Sequence, residues 1–164
     1  MTAPLRTDRL VLTPLSPADA PAMVGVLADP ALYRFTGGEP PDLARLTARY
    51  EAQCAGSPDP GERWHNWIVR RTESPEPLGF VQATVAGGHA DVAWVIGTAA
   101  QGHGFAREAA IAVGEWLRGQ SAERITAHIH PDHHASAGVA RAVGLEPTDE
   151  RDDDGEQVWV VDVG

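Results

Sequence analysis

One cysteine, Cys54, stands in 164 residues. It excludes an intrachain disulfide, a cysteine-based metal cluster and a redox cysteine pair, and it fits a reducing compartment. Long apolar runs are also missing. No stretch approaches the roughly 20 residues of a membrane span, and the opening "MTAPLRTDRL" has no signal-peptide core, so an uncleaved, cytoplasmic protein without membrane contact is expected. Basic residues are scarce: 13 Lys plus Arg against 23 Asp plus Glu give a formal charge of -10. A field of that sign repels nucleic acid and anionic membranes and favours an amine over a phosphate-rich substrate, while also serving solubility.

What is present is a packed globule rich in turns. Hydrophobic residues make up 43%, and Gly 17 with Pro 13 argue against a helical bundle. The length fits one domain over 1–164, with no repeat, linker or low-complexity tract. "LRTDRLVLTPL" alternates as a strand. "SPADAPAMVGVLAD" follows as a helix, with Ser16 as N-cap, Pro17 at its first position and Asp19 at its third. "PDLARLTARYEAQCAG" forms a second helix with Leu43, Leu46 and Tyr50 on one face.

"RWHNWIVRR", "LGFVQATVAG" and "ADVAWVI" are strands separated by short turns, hence an antiparallel meander. From Phe105, the positions Ala106, Ala109, Ala110, Val113, Trp116 and Leu117 share one helical face ending near Gly119. "ERITAHIH" is a strand, "HASAGVARAVG" a helix stopped at Gly144, and the chain closes in a hairpin turning at Asp154 and Gly155. The order is βααβββαβαββ.

Between the third meander strand and the long helix lies "QGHGFA", Gln101, Gly102, His103, Gly104, Phe105 and Ala106, with two glycines and no acid. Gly102 and Gly104 permit torsions and close approach that side chains obstruct. The converging amides and the positive end of the following helix then suit a diphosphate, with no lysine or metal needed. His103 points outward. The stretch lacks the G-K-[ST] ending of a P-loop, and the antiparallel strands before it argue against a dinucleotide-binding unit.

Here the sequence resembles the GNAT superfamily of N-acetyltransferases, whose signature [RQ]-x-x-G-x-[GA] is matched by Gln101, Gly104 and Ala106. "TDRLVLTPLSPADA", "ADVAWVIGTAAQGHGFAREAA" and "HPDHHASAGVARAVGL" are similar to blocks of its ribosomal-protein N-terminal acetyltransferase branch, leaving about residues 34–63 as the variable, acceptor-building region. The resemblance implies an α/β fold of GNAT type, with a mixed, mostly antiparallel sheet splayed after its fourth strand and flanked by helices. It also implies acetyl-CoA as cosubstrate, an amine acceptor (small molecule or protein N-terminus), and pantetheine bound by the backbone of Trp94, Val95 and Ile96.

Asp91 matches an acidic position on the family's fourth strand and is the candidate base, acting through water; Glu39 and Glu62 are rivals. The family's acid is often a tyrosine on the penultimate helix, but Tyr33 and Tyr50 both lie upstream. Ser136 matches a serine at the start of that helix, where it either caps the helix or hydrogen-bonds the coenzyme sulfur. His133 replaces a coenzyme-contacting asparagine. His128, His130, His133 and His134 lack carboxylate or cysteine ligands at metal-site spacing, so no metal is expected, and "ERDDDGE" reads as a solvated hairpin tip rather than a calcium loop.

Trp64, Trp67, Trp94, Trp116 and Trp159 read as core residues, with Trp64 and Trp67 bordering the acceptor pocket. The faces around Trp159 on the terminal hairpin offer a symmetric contact for a homodimer. The expected activity is direct acetyl transfer to a primary amine. The alternatives are a transferase of a larger acyl group such as succinyl, or an acyl-CoA sensor without turnover.

Overall fold

A computed structural model describes residues 2–164. The elements run β1 (Leu5–Arg6), β2 (Leu10–Pro14), α1 (Ala20–Val26), α2 (Leu43–Ala55), β3 (Glu62–Arg71), β4 (Pro77–Ala86), β5 (His89–Ile96), α3 (Phe105–Gly119), β6 (Arg124–Ile129), α4 (His134–Val143), β7 (Glu146–Arg151) and β8 (Gln157–Asp162). The expected order holds with one difference at the start, where the single opening strand is a small hairpin. Leu5 pairs with Leu12 and Arg6 with Val11. Thr7 closes the turn, its N–H donating to the Leu10 carbonyl and its hydroxyl accepting from the Leu10 N–H. Two-residue alternation runs through a tight turn unchanged, which is why it hides this break.

Ser16 is the N-cap as expected, and with Asp19 it forms a reciprocal capping box, first around a short 3-10 turn that then becomes α1. Asp19 does double duty: its Oδ2 accepts from the Ser16 N–H at 2.8 Å and its Oδ1 pairs with Arg70 on β3 at 2.7 Å. The start of the first helix is thereby tied to the sheet. On α2, Leu46 and Tyr50 are buried as the spacing demands, whereas Leu43 at the first position is exposed.

All eight strands form one sheet in the order β1-β2-β3-β4-β5-β6-β8-β7, antiparallel except where β5 meets β6. Alternation along the strands sends two apolar sets to opposite faces. Ile68, Phe80 and Val95 pack with Met23, Leu46 and Tyr50 beneath α1 and α2. Trp67, Val69, Val81, Ala90 and Val92 pack with Ala109, Val113 and Leu117 beneath α3 and α4. Trp67 and Trp116 meet edge to face at 5.2 Å in this second core.

Trp159 is a core residue, as expected: it is 3% exposed and packed within the α3–α4 core with the Arg141 guanidinium 4.9 Å from its ring, so a symmetric contact on the terminal hairpin would have to use the faces around it rather than the ring. No helix among the described residues is long and apolar enough to cross a membrane.

His65 makes a stability prediction. It is 6% exposed, stands edge-on to Trp116 at 4.8 Å and shares a hydrogen bond with the Thr2 hydroxyl. Burial, the largest cause, pushes its pKa below the usual 6.5. The unfolded chain therefore binds a proton that the folded chain refuses. The stability His65 contributes is full above pH 6.5 and drains as pH falls below it. Melting temperature should fall between pH 7 and 5, and less steeply in His65→Gln; equal slopes for the two proteins would place the acid sensitivity elsewhere.

Candidate active site

The site is set by where β5 and β6 part. These parallel strands pair only at His89–Arg124, Ala90–Ile125 and Asp91–Thr126, after which β5 runs on to Ile96 without a neighbour on that side. The Gly97 N–H donates to the Leu78 carbonyl on β4. Because the backbone of an antiparallel strand alternates its bonding side, Val95 and Ala93 also spend their groups on β4, while Val92, Trp94 and Ile96 turn theirs to the gap. Of the three residues implied for pantetheine, Trp94 turns both backbone groups to the gap without a partner among the described residues, and Ile96 keeps only its N–H open because its carbonyl accepts from Gln101. Val95 leaves neither group open, and its side chain packs beneath the first two helices.

Both strands run into helices, so α3 and α4 begin at the same end of the sheet, beside the gap. The loop entering α3 is stapled to β5 by Gln101, whose Nε2 donates to the Ile96 carbonyl at 2.9 Å. Gly102 and Gly104 hold φ of +83° and +78°, and Gly104 is the helix N-cap with no side chain to satisfy the first-turn amides. Among the described residues, no protein acceptor serves the N–H groups of Phe105 and Ala106. These are the vacant donors and positive helix end that an anionic diphosphate requires, so the loop fits the group expected there.

Arg9 and Glu108 brace the loop, and the sequence did not single them out. Arg9 pairs with Glu108 at 2.7 Å and its Nη1 donates to the His103 carbonyl at 2.9 Å, while Thr7 also donates to Glu108. Burial works against the Glu108 carboxylate, but the bonds from Thr7 and Arg9 outweigh it and hold its pKa below the usual range. The one acid in the first turn of α3 is thus occupied by the opening hairpin. His103 is exposed beside Phe105, and Phe105 itself is buried.

Asp91 lies where β5 and β6 separate, with its side chain 46% exposed. Its Oδ1 accepts from the Thr126 hydroxyl at 2.8 Å and lies 3.4 Å from His128 Nε2, leaving Oδ2 without a partner among the described residues. His128 Nδ1 meets Asp152 of the terminal hairpin at 3.0 Å, and His89 meets Thr126 at 2.9 Å. A line of polar groups thus orients the Asp91 carboxylate. The rivals are engaged elsewhere: Glu62 accepts from Trp64 and Ser57, and Glu39 is exposed 4.0 Å from Arg45.

At the start of α4, His133 is the N-cap and Ser136 is the third helical residue, so Ser136 is not the cap. Its hydroxyl lies 3.3 Å from His133 Nε2. His133 stacks on Phe35 of the α1–α2 connection at 4.6 Å, and burial, then His130 and His134, push its pKa down. Phe35 was invisible to spacing arguments because it meets α4 only across the fold. His130 meets the same ring at a tilt, 5.1 Å between centroids, and accepts from the Asp132 N–H. Tyr33 donates to the Leu27 carbonyl, and Tyr50 lies beneath α2.

The fold as a whole is shared with known acetyltransferases. The chain belongs to the acetyltransferase (GNAT) domain family, whose model matches residues 9–146. An acetyltransferase from Agrobacterium tumefaciens is 26% identical with a TM-score of 0.77, covering 98% of this chain and 95% of its own. A GNAT-family acetyltransferase from Bacillus anthracis is 15% identical with a TM-score of 0.83, over 98% and 99%. RimL, a ribosomal L7/L12 alpha-N-protein acetyltransferase solved with coenzyme A, shares the fold at 14% identity and a TM-score of 0.78, over 98% of each chain. No curated protein matches significantly by sequence.

Proposed function

We propose that this protein is an N-acetyltransferase that moves acetyl from acetyl-CoA directly to a primary amine. The observation that carries this reading is the open edge of β5 running straight into the braced, acid-free loop before α3. The loop amides from Gly102 to Ala106, helped by the α3 N-terminus, hold the diphosphate, and the gap-facing backbone of Trp94 and Ile96 holds the pantetheine arm. When bound, acetyl-CoA supplies an acetyl group activated as a thioester.

The residues of this chain then divide the proton work. Asp91 Oδ2 takes the proton of the attacking amine, directly or through water, while Thr126 and His128 fix the orientation of its other oxygen. Ser136 donates towards the departing sulfur, with His133 as its neighbour and no tyrosine required. The RimL neighbour acts on a protein N-terminus, and this chain is read as using either that or a small-molecule amine.

The test is thiol release from acetyl-CoA and from succinyl-CoA over a panel of primary amines, with mass spectrometry to locate the acylated atom. Acetyl on nitrogen is the expected product. Succinyl transfer without acetyl transfer would replace the acyl group assigned here, and tight coenzyme binding with no release from either would make the protein a sensor.

A further inference from the structure

Beneath α2, on the face of β3 and β4, lies a chamber of about 220 Å³ lined by Arg49, Tyr50, Gln53, Asn66 and Gln82 over Phe80 and other apolar groups. That is smaller than a pocket for a drug-sized ligand and suits one end of a small molecule. Tyr50 stands out. The residue is 4% exposed, and its hydroxyl is buried without a hydrogen-bond partner among the described residues. A vacant buried hydroxyl costs stability, so it calls for a reason. Burial pushes its pKa up to about 12 against the pull of Arg49, which keeps it a donor at neutral pH.

The lining holds one cation and no acid. Asp19, the carboxylate that bears on Tyr50, is already committed to Arg70 and the Ser16 N–H. The chamber therefore presents donors: a guanidinium, a phenol and three carboxamides. It repels an ammonium and suits a carboxylate. Its position completes the argument. Asn66 lies opposite Gln82, and Gln82 opposite Ala93, so the chamber is one strand spacing, about 4.8 Å, from the open segment of β5. Asp91 lies two residues from Ala93 on the same face, about 7 Å along the strand.

We propose that this chamber is the acceptor pocket and that the acceptor is a small amine carrying a carboxylate, with Tyr50 and Arg49 binding the carboxylate while the amine reaches β5 and Asp91. This rests on the acetyltransferase reading. It assigns opposite jobs to the two ends of one substrate, and the overall negative charge of the chain does not dictate the local chemistry of the pocket.

Matched acceptors provide the test: 4-aminobutyrate, its amide 4-aminobutanamide, and n-butylamine, compared by kcat/KM with acetyl-CoA. The carboxylate-bearing amine should lead by about tenfold or more, the worth of a charge-assisted hydrogen bond. Tyr50→Phe and Arg49→Gln should each erase most of that lead through KM rather than kcat. Tyr50→Phe should melt no lower than wild type, since it deletes an unpartnered group.

Equal use of the three amines, or an unchanged lead in Tyr50→Phe, would overturn the proposal. Calorimetry of 4-aminobutyrate with coenzyme A present separates the two readings. Binding that Tyr50→Phe abolishes supports the pocket even if no acetyl is transferred, in which case only the transferase reading falls. Absence of millimolar binding together with absence of transfer removes the pocket assignment.

Discussion

Gly104→Val should weaken acetyl-CoA binding by about tenfold or more while leaving the fold in place. A Cβ at Gly104 would meet only Arg9 Nη2 at 3.5 Å, an ordinary contact, so crowding is not the problem. The backbone is: φ of +78° is a region that a β-branched residue enters only at a cost of about 1–3 kcal/mol. The loop relieves that strain by rotating its peptides, which swings the amides before and at the start of α3 out of convergence. The same residue adjoins the His103 carbonyl that Arg9 grips, so the brace loosens as well. Gly104 is exposed and outside the core, and the melting temperature should change little. Titration of acetyl-CoA into the two proteins checks this, and wild-type affinity in a folded Gly104→Val would remove the diphosphate from this loop.

Asp91→Asn should do the reverse, with coenzyme affinity kept and transfer lowered by about 10² to 10⁴, the usual worth of general-base assistance. The amide still accepts from Thr126 at Oδ1, so the strand pairing and the gap persist. What disappears is a proton acceptor at the free Oδ2. Both kcat and kcat/KM should fall together, and activity should recover at high pH where the amine arrives deprotonated. Full activity of Asp91→Asn near neutral pH would place the base elsewhere.

The two candidates came from different signals. The loop announces itself locally by glycines, the missing acids and the helix that follows, whereas Asp91 was singled out by its resemblance to an acidic position on the family's fourth strand. Arg9 was not legible: it sits in what reads as an unbroken strand, and its partner Glu108 is 99 residues away. Phe35 belongs to a loop with no periodicity and acquires meaning only by stacking on His133. Tyr50 was placed on the buried face of α2 from its spacing, but a helical face says what is covered and nothing about whether a hydroxyl there finds a partner. Trp159 was expected in the core, but only the strand order, with β8 between β6 and β7, and the arginine across its ring came from the tertiary structure.

The sequence by itself determined the elements after the opening hairpin, their order, Ser16 as the first cap, and the acid-free, glycine-bearing character of the loop. Each of these is governed by torsional preference, periodicity or hydrogen bonds between residues a few positions apart. Tertiary structure alone decided which backbone groups of β5 stay open, which carboxylate keeps a free oxygen, what braces the loop, and where a chamber of donors forms beside the splay. Those features depend on sheet register and on contacts between residues far apart in the chain, and register is fixed by the packing of whole faces, which no short stretch encodes.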